Sequence, residues 1–170
     1  MSSAYVLPRG PTKTFKFVGN IRLTGFFDPL KISENVDEHQ VKYFREAELQ
    51  HGRAAMASMV ALPLIDMFSD TLAIDYLKGL PAVEQAPFWL SMACFEFARM
   101  NAGWENPFIT KDNKYFRLND SYQPGNVIKL DEKLYSEDMM EKELSNGRLA
   151  MIGSVFYILQ EACTHTPIVN

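Results

Sequence analysis

The feature that most constrains this chain is a nine-residue segment that occurs twice. Residues 48–56 read ELQHGRAAM and residues 143–151 read ELSNGRLAM. Glu48 matches Glu143, His51 matches Asn146, Gly52 matches Gly147 and Arg53 matches Arg148, every pair separated by the same 95 residues. Self-similarity at a fixed interval points to an architecture. Here it predicts two helices, the first and third of the chain, related by a quasi-twofold axis.

Three apolar stretches set the element count. The charge-free cores run over 54–65, 85–95 and 149–160, and none reaches the 18 or more uncharged residues that announce a membrane helix. Extended through flanking polar residues, they predict helices over about 41–66, 86–104 and 136–164. The first is about 39 Å long at 1.5 Å per residue, enough to cross a bilayer of about 30 Å with tilt. Pro81 and Pro87 mark the entry of the second helix and Asn106-Pro107 marks its exit, as helix-breaking residues should. The connectors, 69–85 and 105–135, look too small to be independent, so the expectation is one domain over residues 1–170. The segment 68–80, FSDTLAIDYLKGL, reads either as a short interfacial helix or as a loop.

Charge placement is a separate test. With three spans, the N-terminal segment and the second connector share one side, which holds Arg9, Lys13, Lys16, Arg22, Lys31, Lys111, Lys114, Arg117, Lys129 and Lys133. The other side keeps only Lys78. That asymmetry is the positive-inside pattern and places the N-terminus on the cytoplasm-like side. Asp66, Asp70, Asp75, Glu84 and Glu161 fall on the opposite side, where they read as a solvated acidic face. A soluble three-helix bundle, favoured by a mean hydropathy of -0.14, explains neither this asymmetry nor the doubled motif.

The motif draws a Glu and an Arg toward hydrocarbon, where one charged side chain costs about 2.5–3.5 kcal/mol. Within one copy the two lie five residues apart, about 500° around a helix, and point in different directions. If the helices cross, each Arg reaches the other helix's Glu, pairing Glu48 with Arg148 and Glu143 with Arg53. Gly52 and Gly147 remove bulk where the backbones approach. A Glu neutralised in this way keeps a free carboxylate oxygen. His51 or Asn146, three residues on, lies on the same face. Magnesium held in a planar macrocycle needs a single axial donor, which any of these four side chains can supply.

The pattern E-x-x-[HN]-G-R-x-A-M, present twice, resembles that of the chlorophyll a/b-binding, light-harvesting complex family, over about residues 25–163. The resemblance implies an all-α membrane protein of three transmembrane helices, the first and third crossed. It assigns chlorophyll magnesium to Glu48, His51, Glu143 and Asn146, with Arg53 and Arg148 as interhelix locks. It adds Gln160 as a late third-helix ligand. In the middle helix it adds Glu96, neutralised locally by Arg99. Phe88 stands where green-lineage members often carry a Gln ligand, so that site is absent or water-bridged. GFFDPL, with Phe26, Phe27, Asp28 and Pro29, resembles the carotenoid-contacting segment before the first helix. The matching segment before the third helix is replaced by YQPGNVIKLDEKL.

The implied role is a non-catalytic antenna that binds chlorophyll a, a second chlorophyll type and carotenoids (xanthophylls), and passes excitation to a photosystem. Its setting is the thylakoid membrane of the chloroplast, multi-pass, with the N-terminus stromal. Short loops and the GFFDPL opening resemble the red-lineage algal branch, including fucoxanthin-binding members, and the divergent middle helix points to photosystem I as partner, beside neighbouring antenna subunits and membrane lipids. Two other roles fit the same fold: a stress-related member that dissipates excitation, and a photosystem assembly or linker subunit.

Other classes find no support. A net charge of -4 offers no field for nucleic acid, and no nucleophile with its base, phosphate loop or redox-metal cluster is present. Cys94 and Cys163 read as small core residues with free thiols. His39 and His165 read as polar residues at helix ends. The N-terminus lacks a secretory h-region and is compatible with a mature end left by a transit sequence.

Overall fold

The computed structural model describes Leu30 and residues 36–105, 117–131 and 135–169. Along them run α1 (Glu38–Phe68), the single-turn α2 (Tyr76–Gly79), α3 (Ala82–Gly103) and α4 (Glu137–Thr164). Outside the helices, an isolated antiparallel bridge joins Trp104 to Leu118. The described elements are helical, as the chlorophyll-binding resemblance implies. None of these helices is long and apolar enough to cross a membrane by hydropathy alone: the motif places Glu, His and Arg in the middle of α1 and Glu, Asn and Arg in the first half of α4, and α3 carries Glu84, Glu96 and Arg99.

The helix ends differ from expectation for local reasons. α1 begins three residues before Val41, because Asp37 and Gln40 form a reciprocal cap. Gln40 N–H donates to the Asp37 carbonyl at 2.9 Å and Asp37 N–H to Gln40 Oε1 at 3.2 Å, which satisfies donors that a helix start leaves open. α3 begins directly after Pro81, at Ala82 rather than near Ala86, and so carries Pro87 inside its second turn. The missing Pro87 N–H removes one ladder bond, the one to the Val83 carbonyl. α4 starts after Ser136, whose hydroxyl accepts from Met139 N–H at 3.4 Å, with Glu137 and Asp138 in the first turn favoured by the helix dipole. It ends on His165 in the left-handed conformation.

α1 and α4 form the packed centre. They meet glycine to glycine: a Cβ placed on Gly52 would lie 3.1 Å from the Gly147 Cα, and one on Gly147 would lie 3.0 Å from the Gly52 Cα. The distances are reciprocal, as a twofold relation between the helices requires. Leu49 and Ala55 of α1 and Met140 and Leu144 of α4 are buried toward the crossing, and Tyr157 is buried further along α4.

A second clasp closes the far ends of α1 and α4. Tyr157 O–H donates to Asp66 Oδ2, which also accepts from Ile168 N–H at 3.2 Å, while Asp66 Oδ1 accepts from Ala73 N–H at 3.2 Å. Glu161, with no exposed surface, accepts from Ile74 N–H at 3.1 Å. Asp66 and Glu161 are therefore not part of a solvated acidic face. They hold the 69–75 connector and the C-terminal tail against the helix pair, a use of carboxylates that burial alone can reveal.

α3 stands apart. Gly103 is its one buried residue, and Phe88, Trp89, Leu90, Phe95 and Phe97 face outward. Cys94 of α3 and Cys163 of α4 are free and exposed rather than core residues, because no described part of the chain covers their helix faces.

Replacing Gly52 or Gly147 by Ala puts a methyl onto backbone atoms that cannot rotate away, so each single variant is expected to weaken the crossing by about 1–3 kcal/mol. Thermal loss of the folded complex, followed by circular dichroism, measures this. An unchanged midpoint in both variants would contradict the close approach.

Candidate pigment-binding site

The crossing brings the two motif copies into contact. Arg53 Nε donates to Glu143 Oε1 at 2.6 Å, and Arg148 Nε donates to Glu48 Oε1 at 2.7 Å. Each ion pair joins α1 to α4, and each is only partly shielded by protein, the four side chains being 22–34% exposed. The Arg53 Nη2 also donates to the Gly125 carbonyl at 2.7 Å, which fastens the second connector to the same guanidinium.

The remaining carboxylate oxygens are not free, contrary to the sequence expectation. Glu48 Oε2 accepts from Arg45 Nη1 at 2.9 Å, and Glu143 Oε2 accepts from the Tyr135 hydroxyl at 3.1 Å. The donors come from outside the motif, so its spacing could not reveal them. Each carboxylate oxygen has two lone pairs, so one hydrogen bond leaves a direction open to a metal. The two copies also differ electrostatically: Glu48 faces two guanidinium groups, Glu143 one guanidinium and a neutral phenol. Burial, with Glu143 alongside, pushes the Tyr135 hydroxyl above the ordinary phenol range. The same causes, with Glu46 as the carboxylate, act on Tyr122. Both therefore stay protonated donors.

The other predicted donors face outward. His51 is exposed, with Nδ1 2.7 Å from the Ala47 carbonyl. An Nδ1–H donating there leaves Nε2 as the metal-binding nitrogen, the arrangement usual for ligating histidines. Asn146 and Gln160 are exposed on α4. Among the described residues no three His, Cys, Asp or Glu side chains converge to enclose an ion. The donors are single side chains on open helix faces, which fits axial ligation of a macrocycle that brings its own equatorial ligands.

On α3, Arg99 Nε donates to Glu96 Oε2 at 3.0 Å, so this pair is local to one helix turn. Arg99 has a second partner: Nη1 lies 3.5 Å from Glu46 Oε1 on α1. Glu46, essentially buried, is the residue that sequence reasoning passed over. The signal was present in REAEL, residues 45–49, where a Glu two places before Glu48 points to the opposite side of α1 and needs a partner of its own.

His39 and Arg117 belong to another polar group, Arg117 Nη2 lying 2.8 Å from His39 Nε2 and 3.2 Å from Asp120 Oδ1. Phe26, Phe27, Asp28 and Pro29 lie outside the described residues.

Comparison with known proteins agrees with this geometry. The description "Chlorophyll A-B binding protein" matches residues 17–162. The chain belongs to that family. It is therefore a light-harvesting, chlorophyll-binding protein, with chlorophylls and carotenoids as its cofactors. It is 32% identical over 158 residues to a chloroplastic fucoxanthin-chlorophyll a-c binding protein of Isochrysis galbana, covering 85% of this chain and 75% of that one. With light-harvesting complex stress-related protein 3.2 of Chlamydomonas reinhardtii it shares 28% identity over 162 residues, 85% of this chain but only 61% of the relative. With photosystem I chlorophyll a/b-binding protein 5 of Arabidopsis thaliana the identity is 26% over 180 residues, 89% and 68% of the two chains.

The different surroundings of the two motif glutamates lead to an ordering. R148L leaves Glu48 with Arg45, whereas R53L leaves Glu143 with a phenol and the Gly125 carbonyl with Val127 N–H as its remaining donor. R53L is expected to destabilise the complex more than R148L, by roughly 1–3 kcal/mol, and the double variant R53L/E143L less than R53L alone. Thermal denaturation of the purified complexes checks both orderings, and equal losses for R53L and R148L would count against them.

Proposed function

We propose that this chain is a non-catalytic antenna of the thylakoid membrane that holds chlorophylls and carotenoids at fixed positions and delivers excitation to a photosystem. The pigments supply light absorption, and the chain supplies position and local environment. The observation that carries the reading is the crossed pair α1–α4, locked by two reciprocal ion pairs with single donor side chains on its outward faces. Glu48, His51, Glu143, Asn146, Gln160 and Glu96 are the side chains proposed to ligate chlorophyll magnesium, and Arg53, Arg148 and Arg99 neutralise the carboxylates among them. The grooves beside the crossing would take elongated carotenoids, with the segment 26–29 as one contact.

In this reading α1, α3 and α4 span the membrane, the motif charges being tolerated because they are paired and pigment covers them. The excess of lysine and arginine on one side favours a stromal N-terminus. A red-lineage affiliation is supported by the fucoxanthin-binding relative. A partnership with photosystem I is supported by the Arabidopsis relative named for that photosystem.

A second reading, dissipation of excitation, is favoured by the likeness to stress-related light-harvesting proteins. Its mark is a fluorescence lifetime that shortens on acidification, and a lifetime constant with pH leaves the antenna role.

Pigment analysis with absorption and fluorescence-excitation spectra of the complex purified in mild detergent tests the main proposal. Several chlorophylls per chain and carotenoid-sensitised chlorophyll emission are expected, and H51L is expected to lose one chlorophyll while retaining the rest. A chain purified without chlorophyll, beside intact neighbouring complexes, would overturn the antenna reading in favour of an assembly subunit.

A further inference from the structure

α3 leans on the crossed helices at one end only. Its outward-facing middle and first half make no polar contact with α1 or α4 among the described residues, while its last turns meet a buried carboxylate. Glu46 is 2% exposed. It accepts from Gln50 Nε2 at 3.0 Å, from the Tyr122 hydroxyl at 3.1 Å and from Gly125 N–H at 2.8 Å, and it faces Arg99 Nη1 at 3.5 Å. One side chain thus joins α1, α3 and the second connector.

Each partner leads to a position with a proposed pigment role. Arg99 is shared between Glu46 and Glu96. Gly125, held through its N–H by Glu46, receives Arg53 on its carbonyl, and Arg53 neutralises Glu143. The Tyr122 ring packs directly on Gly103, where an added Cβ would fall 2.8 Å from a ring carbon. Gly125 adopts φ +85°, a conformation that glycine reaches at little cost, and this turns its N–H to the carboxylate.

From this arrangement we infer that Glu46 is a positioning residue: through Arg99 it fixes where α3 presents Glu96, and so sets the place of the middle-helix chlorophyll relative to those on the crossed pair. The inference rests on the reading of Glu96 as a magnesium ligand. Arg99 Nε and Nη2 both donate to Glu96 Oε2 while Nη1 is turned to Glu46, so the guanidinium leaves Glu96 Oε1 as the donor for magnesium. A planar guanidinium can serve two carboxylates at once, which an ammonium cannot do with the same geometry.

The test compares E46Q, E96L and the double variant, each purified as the pigment complex, with chlorophyll-to-protein ratio and excitonic circular dichroism as readouts. E96L is expected to lose one chlorophyll. E46Q, which keeps the size of Glu46 but not its charge, is expected to lose most of that same chlorophyll, and the double variant no more than E96L alone. If E46Q fails to accumulate, R99K makes the same comparison, since it keeps the charge but cannot bridge both carboxylates. The control Y122F removes another bond to Glu46 but leaves Arg99 in place, and is expected to keep the full complement. A chlorophyll that E96L loses but E46Q or R99K retains overturns the inference alone. A complete complement in E96L overturns the ligand reading and the inference with it.

Discussion

The need to neutralise charges placed in the middle of helices governs the rest of this structure. A Glu and an Arg five residues apart on one helix cannot satisfy each other, so the chain supplies a second helix with the same pair and crosses the two. The reciprocal bonds of 2.6 and 2.7 Å close only if the backbones come within glycine-to-glycine contact, which is why neither Gly52 nor Gly147 has room for a side chain. Close approach, neutral charge and outward-facing ligand residues are therefore consequences of one constraint.

Around that centre the second connector does more than join α3 to α4. Lys42, at the start of α1, donates to the backbone carbonyls of Asn119 and Asp120, and Gly125 lies between Glu46 and Arg53. Tyr122 and Tyr135 reach in to Glu46 and Glu143. Hydroxyls suit this task because a phenol held neutral by burial donates a hydrogen bond without adding a charge. At the opposite end of the crossing, Asp66 and Glu161 clamp the first connector and the tail. Both ends of the helix pair are thus closed by buried carboxylates, while His51 and Asn146 between them face outward.

The two motif copies are alike in sequence but not in surroundings. Arg45 stands beside Glu48, and Tyr135 beside Glu143, so quasi-symmetric ligand positions sit in different electrostatic fields. In a pigment protein that difference matters, since nearby charge shifts both the donor strength of an axial ligand and the environment of the macrocycle.

Much of this was legible in the sequence, because a doubled motif encodes its own partner. The fixed interval between copies, the angular separation of Glu from Arg and the need to neutralise both are properties of a one-dimensional pattern plus helix geometry, and they determine the helix pairing and the ion pairs. Gly52 and Gly147 are readable for the same reason. REAEL shows Glu46 and, three residues before Glu48, Arg45, but the partners of Glu46, and the roles of Tyr122, Tyr135 and Gly125, were not legible, since they depend on which connector folds over which face, and no periodicity records that. Asp66 and Glu161 show the same limit: acids gathered at one end of the helices read as solvated until tertiary structure shows backbone N–H groups turned onto them. The sequence by itself determined that α1 and α4 must cross and which side chains neutralise each other there. Only the tertiary structure decided how α3 and the connectors attach, because those contacts join residues related by no repeat and no common helix face.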